Sequence, residues 1–133
     1  MTENLTLDKQ SAPRINRYRL RTVALTVAAT EAAYLVLRYG AGIDLTAGDV
    51  TVGPAAVAVT AAVAALAGWA LLAVLERFTS RAVRIWRIVA VAVFLVSLLG
   101  TLGGVDAGAV FGLSLLHAVV AGALITGLPC RCR

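Results

Sequence analysis

The sequence predicts an all-α polytopic membrane protein: four transmembrane helices arranged as two antiparallel hairpins, with both termini cytoplasmic. Three observations carry that prediction. Of the 133 residues, 60% are hydrophobic and only 14% are charged, against roughly 45–50% and about 25% in a soluble domain. The apolar residues lie in four blocks rather than in amphipathic stripes. Each block has about 20 residues, and at roughly 1.5 Å per residue that length crosses a hydrocarbon core about 30 Å thick. Finally, eleven of the twelve Lys and Arg residues fall at one set of block ends.

The charge asymmetry sets the expected orientation. Lys9, Arg14, Arg17, Arg19 and Arg21 precede the first block; Arg77, Arg81, Arg84 and Arg87 surround the turn between the second and third; Arg131 and Arg133 end the chain. Arg38 alone falls on the other side, with Asp44, Asp49 and Asp106. Basic residues are retained in the cytoplasm, so a multi-pass protein of the inner (plasma) membrane is expected. The net charge of +5 would point to nucleic acid only as a patch on a soluble surface. Beside hydrophobic segments it points to anionic lipid head groups instead.

Taken in order, residues 1–17 are polar, contain Pro13, and read as a flexible cytoplasmic tail. A four-helix transmembrane domain follows over 18–129, with helices at about 20–39, 54–76, 82–102 and 107–127. The first is too long for a signal-peptide core and carries Glu31, so it reads as a retained span. Gly40 is placed to close it in a left-handed conformation. In the loop from Gly40 to Gly53, the alternation Val50-Thr51-Val52 suggests a short extended piece. Gly53-Pro54 opens the second helix, since proline suits a first turn. Thr79-Ser80 ends it, with Ser80 the expected cap of the third. Gly103-Gly104 closes the third and Asp106 caps the fourth, which Gly127 and Pro129 stop. Residues 130–133 form a second short tail. Its Cys130 and Cys132 are a lone C-x-C without partners, read as free thiols.

Helix association in lipid relies on small residues and close packing. The second helix offers Ala58, Ala62 and Ala65 in a stripe with Trp69. Elsewhere stand Gly100-x-x-x-Gly104, Gly108-x-x-x-Gly112 and Ala118-x-x-x-Gly122. They suit packing within the bundle or against a second copy or another membrane protein. Tyr18, Phe78 and Trp86 are expected at the inner interface, Tyr34 and Tyr39 at the outer one. Glu76, Arg77, Arg84 and Arg87 read as interface anchors there, with Glu76 in a local ion pair with Arg77, Arg81 or Arg84.

A few residues offer chemistry. Glu31 lies near the middle of the first span, roughly 15 Å from Arg21, on a face with Ala24, Ala28, Leu35 and Arg38. The alanines suggest that this face turns inward. An intramembrane ionisable residue is a functional candidate; the plainer alternative is a protonated carboxyl hydrogen-bonded to a neighbouring helix. His117 sits midway along the fourth helix at a similar depth, one turn after Ser114. If the first and fourth helices adjoin, Glu31 and His117 can pair, either as a polar clasp or as a proton relay. One histidine is too few for a bis-His haem or a zinc site, and no cofactor is expected. Thr26, Thr30, Thr60, Ser97 and Thr101 can bond to their own helix backbone. No nucleotide loop, Ser-His-Asp set or carboxylate pair is present, so a non-enzymatic structural or partner-binding role is expected, without nucleic acid.

Three stretches carry a resemblance: LLAVLER (Leu71 to Arg77), VAVFLVSLLG (Val91 to Gly100) and LSLLHAVVAGALITGLP (Leu113 to Pro129). Together they resemble an actinobacterial family of small four-helix membrane proteins catalogued as a domain of unknown function. That resemblance implies a fold and a class but no activity. AATEAAYLVLR (Ala28 to Arg38) also looks like the first helix of small multidrug-resistance transporters, where proton and cationic drug compete for a mid-helix glutamate. That likeness implies the alternative, a proton-coupled transporter or channel using Glu31. The present chain differs in its long first loop and strong charge bias.

Overall fold

The computed structural model describes the backbone of residues 2–129 and the side chains of residue 14 and residues 16–129. Four helices follow in order: α1 (Thr2–Leu35), continued by a π-helical turn (Val36–Gly40), α2 (Pro54–Phe78), α3 (Ala82–Thr101) and α4 (Ala107–Gly127). The segments Asn16–Gly40, Pro54–Phe78, Ala82–Thr101 and Ala107–Gly127 are each long and apolar enough to cross a membrane. The chain is therefore an all-α multi-pass protein. α1 pairs with α2 and α3 with α4 as antiparallel hairpins, and α1 also packs along α4.

The helix ends follow local chemistry, with some departures from expectation. Gly53 and Pro54 open α2. Asp106 caps α4, its carboxylate accepting from Ala109 N at 2.7 Å. The π-turn, rather than a left-handed Gly40, closes the first span. Ala41 N donates to Val36 O and Ile43 N to Leu37 O, both at 3.0 Å, and the left-handed residue is Gly42. Ser80 does not cap α3: its N-cap is Arg81, whose N–H donates to Thr79 Oγ1. At the other end of the chain, α1 reaches back to Thr2, where a tail was expected. Extending an existing helix repeats none of the cost of nucleation.

The first loop is structured. β1 (Thr46–Ala47) and β2 (Val50–Thr51) pair antiparallel, Thr46 opposite Thr51 and Ala47 opposite Val50. The two-residue turn between them needs a positive φ at its first position, which Gly48 supplies at 58°. Gly48 N also donates to Gly103 O, and Ala47 bridges to Gly104. The hairpin thus ties one hairpin's loop to the other's and places Leu45, 1% exposed, in the bundle.

Two clusters make the core. At the loop end sit Tyr34, Leu37, Leu45, Val57, Leu113 and Leu116. At the basic end sit Val23, Ala65, Leu72, Trp86, Leu124 and Leu128. Trp86 is thus a core residue at 4% exposed, not an interface ring. Tyr34 is buried too, and its hydroxyl donates to Val52 O at 3.0 Å. Tyr39 and Phe78 are exposed, as expected of rings at a membrane surface. The buried stripe of α2 is Val57, Ala61, Ala65, Gly68 and Leu72; of the stripe expected from small residues, Ala65 lies in it, and Ala58, Ala62 and Trp69 are half-buried beside it. Among the glycine motifs, Gly112 faces Leu45, Ile43 and Leu37 within the bundle, whereas Gly100 and Gly122 face open space.

Candidate functional site

The packing of α1 determines where its polar residues go. Its buried face runs through Arg19, Thr22, Val23, Thr26, Thr30, Tyr34 and Leu37, recurring every three or four residues as one helical stripe demands. Thr26 Oγ1 donates to Thr22 O at 2.8 Å, and Thr30 Oγ1 to Thr26 O at 2.7 Å. Satisfied in this way, the threonines pack closely inside the bundle. Thr22 fits against Gly127, where an added Cβ would come 2.6 Å from Thr22 Cγ2.

The face expected to turn inward turns outward. Ala24, Ala28 and Leu35 are exposed. Small residues favour close helix approach in lipid, but on α1 the approach is made by Thr22, Thr26 and Thr30, and the alanines are left outward. Glu31 sits at the seam's edge, half-buried, with its Oε1 buried and without a hydrogen-bond partner. Arg38 does not serve it: its guanidinium pairs with Asp44 in the first loop. Ser114 joins Thr101 of α3 at 2.9 Å. His117 is exposed, and its Nδ1 lies 2.8 Å from Leu113 O. Although α1 and α4 adjoin, no hydrogen bond joins Glu31 to His117 among the described residues, and the four candidate polar residues form no single constellation.

The basic end holds a contact that sequence alone did not suggest. Arg19, 4% exposed, donates from Nη2 to Glu76 Oε1 at 2.5 Å across 57 residues of sequence. Glu76 therefore clasps α1 to α2, where an ion pair with Arg77, Arg81 or Arg84 was expected. Those three and Arg87 are exposed. Ser80, Arg81, Arg84 and Arg87 line a shallow surface at the α2–α3 turn.

What the structure does assemble is a cleft of about 510 Å³ walled by α2 and α3, with α4 as its floor and Thr30 of α1 behind. It arises because α3 is the peripheral helix: 11% of its span is buried, against 28% for each of the others. The lining is chiefly Ala, Val and Leu. Four polar side chains interrupt it: Thr30, Thr60, Ser97 and His117, one from each helix. Thr60 and Ser97 satisfy their hydroxyls on Ala56 O and Phe94 O, both at 2.7 Å. Towards the basic end lie Gly68 and Trp86, packed so closely that a Cβ on Gly68 would come 2.8 Å from the indole. The indole Nε1 is buried without a partner.

Chemically, this arrangement can hold an apolar molecule and offer it a few hydrogen bonds. No group of three or more His, Cys, Asp or Glu that could hold a metal occurs among the described residues. Cys130 and Cys132 lie outside the described residues. Thr60 and Ser97 are marked in the sequence only as residues able to bond to their own helix backbone, and nothing local marks the cleft, which depends on how far α3 stands from α2. No curated protein and no solved structure matches the chain. A family model does, over residues 10–133, and on that match the chain belongs to DUF6069, a family of unknown function.

Proposed function

We propose that this protein is a non-enzymatic membrane component that takes an apolar partner molecule from the bilayer into the α2–α3–α4 cleft. The observation that carries the reading is the cleft itself, about 510 Å³ and lined mainly by apolar side chains. Its volume falls in the range of roughly 300–1,000 Å³ typical of sites for one small ligand. A transmembrane helix about 10 Å across and 30 Å long is several times larger, so a single-chain molecule is the better match. Filling the cleft tests this. Ala64→Phe with Ala121→Phe should abolish lipid adducts that native mass spectrometry detects on the protein extracted from its membrane, with helix content unchanged. Equal adducts on both forms would sink the reading.

The orientation belongs to the same proposal. The grouping of basic residues supports both termini facing the cytoplasm of a cell that holds the chain in its inner membrane, with Arg77, Arg81, Arg84 and Arg87 against anionic head groups. Reporter fusions at either terminus test it; activity of an external reporter there would reverse it. A second reading, proton-coupled transport through Glu31, draws support from that residue's unpartnered buried oxygen, since an unpaired ionisable group within a membrane span is costly to keep without use. It requires substrate-linked proton release in liposomes that Glu31→Gln removes, and a silent substrate panel would count against it.

A further inference from the structure

We infer that the cleft selects an apolar single-chain molecule carrying a hydroxyl or phenol donor, and that His117 Nε2 is the acceptor that recognises it. This rests on the cleft reading above and specifies its ligand.

The inference starts from the imidazole. Leu113 O can only accept, so of the two neutral tautomers the 2.8 Å contact selects the one with its proton on Nδ1. Nε2 then carries a lone pair. Among the described residues it has no hydrogen-bond partner, although His117 is exposed and lines the cleft. His117 stands midway along α4 (Ala107–Gly127), a depth where lipid chains offer no donor. An acceptor left bare in hydrocarbon costs free energy that a bound donor would recover.

The polar groups are also graded along the cleft. Thr60 is one to two turns from the loop end of α2, Ser97 lies one turn from the loop end of α3, and His117 is the deepest of the three. Beyond His117 the lining is apolar as far as Trp86, Leu124 and Ile125. The eight residues from His117 to Ile125 span roughly 12 Å of helix. A fitting ligand therefore has a donor head towards the loop end and a short apolar chain towards Trp86. A plain hydrocarbon leaves Nε2 unpaired, and a carbonyl head cannot donate to it.

Each end of such a ligand has its own reporter. His117 is the sole histidine and Trp86 is one of two tryptophans, so a Trp69→Phe background makes the indole unique. The protein, labelled with ¹⁵N-histidine in lipid nanodiscs, is titrated with a para-alkylphenol whose chain of about eight carbons, matched to the apolar stretch, ends in bromine. The phenol's methyl ether serves as the donor-free control. The expected result is quenching of Trp86 by both probes, an upfield shift of Nε2 with the phenol alone, and about five- to tenfold tighter binding of the phenol. His117→Phe should equalise the two affinities. If both probes quench equally and Nε2 does not move, donor recognition is wrong while the cleft reading stands. If neither quenches Trp86, the cleft reading falls as well.

Discussion

The two flanks of this bundle are built on opposite terms. Along α1 the seam is tight: threonines bonded to their own helix, Gly127 against Thr22, and Gly112 against the loop residue Leu45 leave no room for an added carbon at either glycine. Between α2 and α3 the helices meet less fully, and a cleft of about 510 Å³ remains. Both flanks are mainly apolar, so hydrophobicity does not distinguish them. In lipid the distinction comes from packing and from polar anchors. The α1 seam has both kinds, in the Arg19–Glu76 ion pair and the Tyr34–Val52 bond. The cleft walls have side chains that satisfy themselves on their own helices. One flank holds the fold together, and the other leaves the space that the proposed ligand would fill.

That contrast can be broken from the tight side. Leu45→Ala should have the largest effect, about 2–5 kcal/mol, because Leu45 is 1% exposed and joins the loop hairpin to the loop-end cluster. Unfolding in detergent micelles followed by circular dichroism measures it, and a loss below about 1 kcal/mol would mean the loop is no part of the seam. Gly112→Ala comes next at roughly 1–3 kcal/mol, since the new Cβ would overlap Leu45. The same assay should show Gly112→Ala and Leu45→Ala partly cancelling when combined, as two changes sharing one contact.

Arg19→Met should cost less, about 1–2 kcal/mol. Removing one partner of a fully buried pair costs roughly 3–5 kcal/mol, but the Glu76 side chain is 39% exposed, and water compensates much of its charge. Adding Glu76→Leu should recover most of the loss. A double variant no more stable than Arg19→Met would show that Arg19 acts through its packing rather than through the ion pair.

These features differ in how far they could be read from sequence. The four spans were legible because transfer into hydrocarbon sums over neighbouring residues, and Pro54 and Asp106 were legible because caps are local. The inner face of α1 was misread, since Ala24 and Ala28 look like packing residues and instead face outward. The i+4 repeat of Thr22, Thr26 and Thr30 was the better signal: a hydroxyl that can bond to its own helix is cheap to bury. The Arg19–Glu76 pair joins residues 57 apart, and nothing local marks either as the other's partner. The candidate site was legible only in parts. His117 stood out, but the cleft around it depends on the spacing of α2 and α3, which no single stretch encodes.

The smallest expected effect tests the comparison from the open side. Gly122 lies on the outer surface of α4, with nothing within 4 Å of where a Cβ would stand. Gly122→Ala therefore meets no clash and removes a residue that costs a helix about 0.5–1 kcal/mol relative to alanine. Unfolding in micelles should be unchanged or shifted towards greater stability by up to that amount. The same glycine-to-alanine change is thus expected to take opposite signs at Gly112 and Gly122, ten residues apart on one helix. A clear loss at Gly122, growing with protein concentration, would mean that a second copy covers the Ala118–Gly122 stripe. The tight face of α4 would then extend to both sides of the helix, and the contrast drawn between the two flanks would hold only for the monomer.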